Sequence, residues 1–187
     1  MMALTPLFTD AEARMRRVLE ALRKELATIR TGRANPALVE NLTVDYYGVP
    51  TPLSHLASIT APEARLLVIQ PWDKEVLSLV EKAILRSDLG LVPSNDGRLL
   101  RLPLPPLTEE RRRELVRLVR KKVEEGRVAL RNIRQEVHSR LRAMERDKQL
   151  SQDDHRRAQE RLQKLTDAFT AQADQLAAAK EAEVLQE

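Results

Sequence analysis

The chain has 187 residues, 3% aromatic and 32% charged, with a formal net charge of +4. It has no cysteine, which excludes disulfides, thiolate nucleophiles and cysteine-held metals. One or two small domains are expected, with Leu, Val, Ile and Ala packed between charged helices.

The opening residues, Met1 to Met15, have no basic segment followed by an apolar one. No stretch approaches the roughly 18 apolar residues of a membrane span. A cytoplasmic protein without a membrane segment is expected. All ten prolines precede Leu107, and Gly126 is the only glycine beyond it. The chain therefore divides into a punctuated part and a long part fit for uninterrupted helix.

Thr9-Asp10-Ala11-Glu12 has the form of a capping box and predicts a helix from near Thr9. Met15, Leu19, Leu22, Leu26 and Ile29 then make one apolar stripe. That helix should stop near Thr31-Gly32, where glycine tolerates a left-handed cap. Leu42 to Tyr47 reads as a strand and Gly48-Val49-Pro50 as the turn after it. Tyr46 and Tyr47 adjoin on that strand, so one should be core and the other exposed. Leu66 to Ile69 is a short apolar strand. Val76, Leu79, Val80, Ala83 and Ile84 predict a helix over 75–87. Asp88–Gly90 and Pro93–Gly97 read as turns, and Leu99 to Leu102 as a final strand. Trp72 is expected to close the core of this small unit, and His55 to be solvated.

Thr108 looks like an N-cap, with Glu109 and Glu110 in a first turn that favours carboxylates. Leu115, Val119, Val123, Leu130, Ile133, Val137, Leu141 and Met144 keep one seam, predicting a helix of about 60 Å to near Gln149. Gly126 falls on the seam, where it permits close helix approach or simply costs stability. Ser151-Gln152-Asp153-Asp154 starts a third long helix, lined by Ala158, Leu162, Leu165, Phe169, Leu176 and Val184. Three seams need one another. The simplest burial is a three-helix bundle of residues 1–30 and 106–187, with residues 31–105 inserted as a small β/α/β domain. The fold class is thus α+β, mainly α. The insertion would be joined by two strands of chain, 30–33 and 104–106. Thr31, Gly32, Arg33, Leu104, Pro105 and Pro106 would then form a hinge.

Residues 108–149 carry 14 Lys/Arg against 8 Asp/Glu, whereas residues 31–107 carry 7 against 8. Basic charge gathered in one segment is how a nucleic-acid footprint looks. Arg120, Arg127, Arg131, Arg134 and His138 lie on one stripe of the long helix, about a right angle from its apolar seam. Guanidinium groups on a rigid helix can fork onto backbone phosphates. The plainer alternative is ion pairing with the acidic last helix, through residues such as Asp153, Asp154 and Glu160. Arg16, Arg23 and Arg30 share a face of the first helix. Arg30 also suits a helix C-terminus, and Gly32 a helix cap.

Enzymatic parts are missing. There is no phosphate-binding glycine loop, no nucleophile elbow and no metal-ligand spacing among the three histidines. Neither a cofactor nor a metal is expected, and the chain does not read as an enzyme.

Ile29-Arg30-Thr31-Gly32-Arg33-Ala34-Asn35-Pro36 is similar to the signature of ribosome recycling factors. Val44 to Gly48 with Thr51-Pro52, Glu81 to Ile84, Ser87 to Leu91, Pro103 to Arg111, Arg131 to Arg134 and Gln163 to Asp167 resemble further motifs of that family, in order along nearly the whole chain. The resemblance implies an L-shaped, tRNA-sized monomer with an elongated three-helix bundle, a small second domain and a flexible junction. It implies binding to large-subunit rRNA at the subunit interface of the post-termination ribosome. It also implies action with elongation factor G, whose GTP hydrolysis drives subunit separation and release of mRNA and tRNA. It adds rRNA contact for Arg30, Gly32 and Arg33, and favours the same role for Arg127, Arg131 and Arg134. Gln135 stands where the family often has Arg, and His138 where a small polar residue is more usual. A hibernation or assembly factor that binds ribosomes, and a coiled-coil scaffold, are the alternative readings.

Overall fold

The computed structural model describes residues 4–29 and 31–185. In chain order its elements are α1 (Leu4–Ala27), β1 (Thr43–Tyr46), β2 (Val49–Pro52), β3 (Ala57–Glu63), β4 (Leu66–Pro71), α2 (Leu77–Arg86), β5 (Ser94–Asn95), β6 (Leu100–Pro103), α3 (Glu109–Arg146) and α4 (Gln152–Leu185). The chain divides into two compact units, Met1–Leu26 with Val116–Ala182, and Ala27–Leu115 with Glu183–Glu187.

The first unit is a bundle of α1, α3 and α4. Helix α1 is already formed at Leu4, ahead of the expected start at Thr9. Pro6 sits near its beginning, where a missing amide costs little. Phe8 and Ala11 are buried and extend the apolar stripe toward the N-terminus. The Arg161 guanidinium lies 4.2 Å over the Phe8 ring. These contacts outweigh the capping box and place Thr9 inside the helix. The helix ends at Ala27, short of Thr31-Gly32, although Ile29 and Thr31 are still buried.

Helix α3 starts where Thr108 Oγ1 accepts a hydrogen bond from the Arg111 amide at 3.2 Å. Its seam from Leu115 to Leu141 is buried as expected, while Met144 is half-buried. The helix stops at Arg146. Lys148 turns the chain at φ 57°, and the Gln149 amide donates to the Met144 carbonyl at 2.8 Å. Ser151 then caps α4, its Oγ accepting from the Asp154 amide at 3.1 Å. Ala158, Leu162, Phe169 and Val184 of α4 are buried, and Thr166 and Ala173 complete that face. Cross-helix pairs give the directions. Arg14 meets Glu136 at 2.6 Å and Lys122 meets Glu25 at 3.5 Å, so α1 and α3 run antiparallel. A Cβ on Gly126 would stand 3.3 Å from Leu22 Cδ2, so this glycine does sit at a close approach of α1 and α3.

The second unit holds two small sheets and α2. Strands β1 and β2 form an antiparallel hairpin, and the other sheet has the antiparallel order β3-β4-β6-β5. Leu67 pairs with Leu102 and Ile69 with Leu100, so alternate residues of β4 and β6 point inward. Val80 and Ile84 of α2 join them in one core with Val44 and Leu53. The expected helix over 75–87 begins with a 3-10 turn, Lys74–Val76, before α2. Asp73 Oδ1 caps that turn by accepting from the Glu75 amide at 3.0 Å. Two readings of this region are corrected, the turn and Trp72, while the expectation of one inward and one exposed tyrosine holds. Gly48-Val49-Pro50 is not the turn: Tyr47 and Gly48 make it, and Val49–Pro52 is a strand. Tyr47 therefore belongs to the hairpin tip and is exposed, while Tyr46 packs against the core. Trp72 does not close the core; it is 68% exposed, because Leu67, Ile69 and Pro71 take the inward positions of the strand and the next residue falls on the outer side.

Candidate nucleic-acid interface

Helix α3 carries the arginine stripe along its border with α4. Arg120 donates to Glu181 through Nε at 2.9 Å and Nη2 at 3.4 Å. Arg127 donates to Asp174 through Nε at 2.9 Å and through Nη2, and to Glu124 at 3.1 Å. Arg131 reaches Glu124 at 3.3 Å, and Arg134 reaches Gln163 Oε1 at 3.3 Å. His138 Nδ1 and Gln159 Nε2 are 3.5 Å apart. Partner numbers fall along α4 as they rise along α3, the mark of an antiparallel pair. Ion pairing with α4 is therefore real. Its partners are Glu181 and Asp174, not the Asp153, Asp154 or Glu160 that spacing suggested. Asp154 belongs to the α4 cap and Asp153 faces Arg156 at 4.0 Å.

These pairs do not remove the positive face. The side chain of Arg131 is 57% exposed, and the carboxylate it meets, Glu124, is shared with Arg127. Arg127 is more enclosed, at 31%. Hydrogen bonds donated first to Asp174 and then to Glu124 raise the Arg127 pKa further above its ordinary value, and the bond to Glu181 does the same for Arg120. Both stay charged. Exposed pairs of this kind hold their partners only weakly, because solvent screens them. A phosphate could exchange for such a carboxylate at small cost. His138 adds no charge of this kind, because burial and then Arg142, His155 and Arg134 lower its pKa.

On α1, Arg16 pairs with Glu12 at 2.8 Å and Arg23 with Glu20 at 3.0 Å, both on the exposed surface. Arg30 lies outside the described residues. Gly32 has φ +84°, a left-handed conformation, and Arg33 beyond it is exposed. The Ala34 amide donates to the Ala64 carbonyl at 2.7 Å, and the Leu104 amide to the Arg65 carbonyl at 2.8 Å. The turn between β3 and β4 thus holds both connecting segments of the second unit. Leu104 is 3% exposed and packed in that unit's core, whereas Pro105 and Pro106 are exposed. Arg65 was not singled out from the sequence. The signal would have been the β3–β4 turn that carries it, which stayed unread because β3 is mostly exposed and has no clear apolar alternation.

The family model described as ribosome recycling factor matches residues 22–185. The ribosome-recycling factor of Carboxydothermus hydrogenoformans is 54% identical over 176 residues, 94% of this chain and 95% of the relative. That of Roseiflexus sp. is 56% identical over 177 residues, 95% and 96% of the two chains. A solution structure of the ribosome recycling factor aligns with a TM-score of 0.81 at 45% identity, over 97% of both chains. A second structure aligns with a TM-score of 0.71 at 51% identity, over 98% of this chain and 99% of the other. It is described as models for the T. thermophilus ribosome recycling factor and the E. coli elongation factor G bound to the E. coli post-termination complex.

Proposed function

As the chain belongs to the ribosome recycling factor family, we propose that it acts in the cytoplasm as a monomer on the post-termination ribosome. It binds large-subunit rRNA at the subunit interface. With elongation factor G, and GTP hydrolysis by that factor, it promotes separation of the subunits and release of mRNA and tRNA. It is a non-enzymatic translation factor. The observation that carries this reading is a match at 50–56% identity running over nearly the whole length of this chain and of its relatives.

The geometry supports a division of labour. Arg131 and Arg134, with Arg127 behind them, face rRNA phosphates from α3, and Arg30, Gly32 and Arg33 meet rRNA at the first connector. A 38-residue helix is about 57 Å long at 1.5 Å per residue, so α3 can carry a push as a stiff lever. The hinge comprises Thr31, Gly32 and Arg33 on one connector and Leu104, Pro105 and Pro106 on the other. Leu104 serves as its anchor, because it is buried and hydrogen-bonded in the second unit's core. The bending would fall on Pro105-Pro106 and on the segment around Gly32.

Light scattering of post-termination ribosomes tests the reading. The chain plus a compatible elongation factor G and GTP should lower scattering, and neither factor alone should do so. Arg131→Ala/Arg134→Ala, checked for native helicity, should weaken the effect about 10-fold or more. Ribosomes that bind the chain yet stay joined would remove recycling in favour of a different ribosome-bound role.

A further inference from the structure

The two-stranded sheet has two outer edges, and they are not alike. Tyr47 and Gly48, at φ 51° and 84°, make the two-residue turn that sets its register. Tyr46 with Val49 and Val44 with Thr51 are then the pairs that exchange hydrogen bonds. Thr43 with Pro52 and Asp45 with Pro50 turn their backbone groups outward. On β2 the outward positions are prolines, which have no amide to offer, so that edge is blunted. On β1 they are Thr43 and Asp45, each with an amide and a carbonyl. Those outward backbone groups make no hydrogen bond among the described residues.

The open edge borders a groove. It has a volume of about 660 Å³ and is lined by Thr43 and Asp45 of β1 and by Leu79, Lys82, Ala83 and Arg86 of α2. All of these residues belong to the second unit. Leu79 and Ala83 are half-buried against that unit's core and give the groove an apolar wall. Lys82 and Arg86 are exposed and make no ion pair among the described residues. They stand one helical turn apart on α2, about 6 Å along its axis. Alternate residues of an extended chain point to one side and are about 6.8 Å apart. Two carboxylates on alternate residues of a strand laid along β1 would therefore meet both cations.

We propose that the groove between β1 and α2 docks an extended acidic segment of a partner protein, which adds to β1 as a third strand. Backbone hydrogen bonds to Thr43 and Asp45 hold the segment, and carboxylates on alternate residues, paired with Lys82 and Arg86, select it. Nucleic acid fits less well, because its charge recurs at every phosphate and Asp45 and Asp88 share the groove. A peptide can set carboxylates against the two cations and neutral residues beside the two aspartates. A basic segment fits less well too. Asp45 Oδ1 already accepts from the Gly48 amide at 2.8 Å, and Asp88 lies beyond the end of α2. None of these residues is assigned to rRNA above, so this site stands or falls apart from recycling.

The full-length protein, isotope-labelled, is titrated by NMR with a capped decapeptide of alternating Glu and Thr. The same peptide with Lys for Glu, two forms N-methylated at the Glu or at the Thr amides, and a single-stranded RNA decamer serve as comparisons. The Glu peptide should shift the Thr43 and Asp45 amides and slow their hydrogen exchange. Lys82→Glu/Arg86→Glu changes two exposed side chains and leaves the core intact; it should weaken the Glu peptide about 5- to 10-fold and favour the Lys peptide. One of the two methylated forms should bind about 10-fold more weakly, since methylation removes the amides that face β1. Equal binding of both methylated forms and the parent would overturn strand addition. Equal binding of the Glu and Lys peptides would overturn the acidic preference. RNA that moves these amides where the Glu peptide does not would overturn a protein partner in favour of nucleic acid. Shifts that grow with protein concentration alone would overturn it in favour of a second copy of this chain, and no response to any probe would overturn the site.

Discussion

Glu124 stands between Arg127 and Arg131 and bonds both, at 3.1 and 3.3 Å. It holds the two guanidinium groups in place, and in the proposed docking it would compete with phosphate for them. Glu124→Gln keeps the shape and removes the charge. Large-subunit affinity at ~100 mM salt should rise about 2- to 5-fold, as repulsion between the carboxylate and rRNA is lost. Unchanged or weaker binding would show that Glu124 does not oppose the contact. His138 gives a second test. It faces Arg134 and Arg142 on its own helix and Gln159 and His155 on α4, where His155 Nδ1 lies 2.6 Å from Glu145. Its folded pKa lies below the ordinary 6.5, so the unfolded chain binds the extra proton first. Stability is therefore whole above that value and falls as pH drops from about 6.5 toward the folded pKa. Melting between pH 7.5 and 5.5 should show this loss, and His138→Gln should lessen it. An equal loss in the variant would assign it to other groups. At this scale the sequence disclosed which arginines share a stripe, because helical spacing alone decides that. It did not disclose their partners, because whether Asp174 or Asp153 meets α3 depends on how far α4 slides along it.

Among elements, the long helices were the most legible, since burial of a regular seam decides them. Each of Leu115, Val119, Val123, Leu130, Ile133, Val137 and Leu141 expected inside α3 is buried. The failures are local signals overruled by packing. The Thr9 box lost to Phe8, and the β2 segment, Val49 to Pro52, was hidden by two prolines that an edge position tolerates. Strand β3 exposes most of its side chains and its inward pattern is too sparse to read, so Arg65 in the following turn went unread with it. Gly126 was legible as either a point of close helix approach or a mere cost, and spacing alone could not choose between them. Leu22 fills the space beside it, with Cδ2 3.3 Å from where a Cβ would stand. Gly126→Leu would gain helix propensity of about 1 kcal/mol yet drive a branched side chain into the buried Leu22. Overpacking of this kind costs about 1–3 kcal/mol, so the net expectation is a lower melting temperature. Gly126→Leu/Leu22→Ala should recover part of the loss. A single variant that melts at or above wild type would mean that α1 and α3 have room to part.

For the whole molecule, the question is whether recycling requires the two connectors to move past each other. The chain offers a clean test, because it has no cysteine and two introduced thiols would stand alone. A Cβ on Gly32 would lie 3.4 Å from Leu107 Cγ, which brings the 32 and 107 side chains within reach of the roughly 3.5–4.5 Å Cβ separation of a disulfide. Gly32→Cys/Leu107→Cys would tie the segment after α1 to the segment before α3. Position 32 has φ +84°, so the substitution itself carries backbone strain of about 1–2 kcal/mol, present in oxidised and reduced forms alike. Comparing the two redox states of one variant cancels that cost. The disulfide should raise the melting temperature relative to the reduced form, since it constrains the unfolded chain. Between the two redox states large-subunit affinity should change less than about 3-fold, because both carry the same substitution at the Gly32 contact and leave Arg131 and Arg134 untouched. Subunit separation with elongation factor G and GTP should slow about 10-fold or more when oxidised and return on reduction. Binding and stability would then stay high while work is lost, which only a mechanical role for the connectors produces. Equal rates in both states would show that this part of the chain acts as a rigid joint and that the push passes through it without bending.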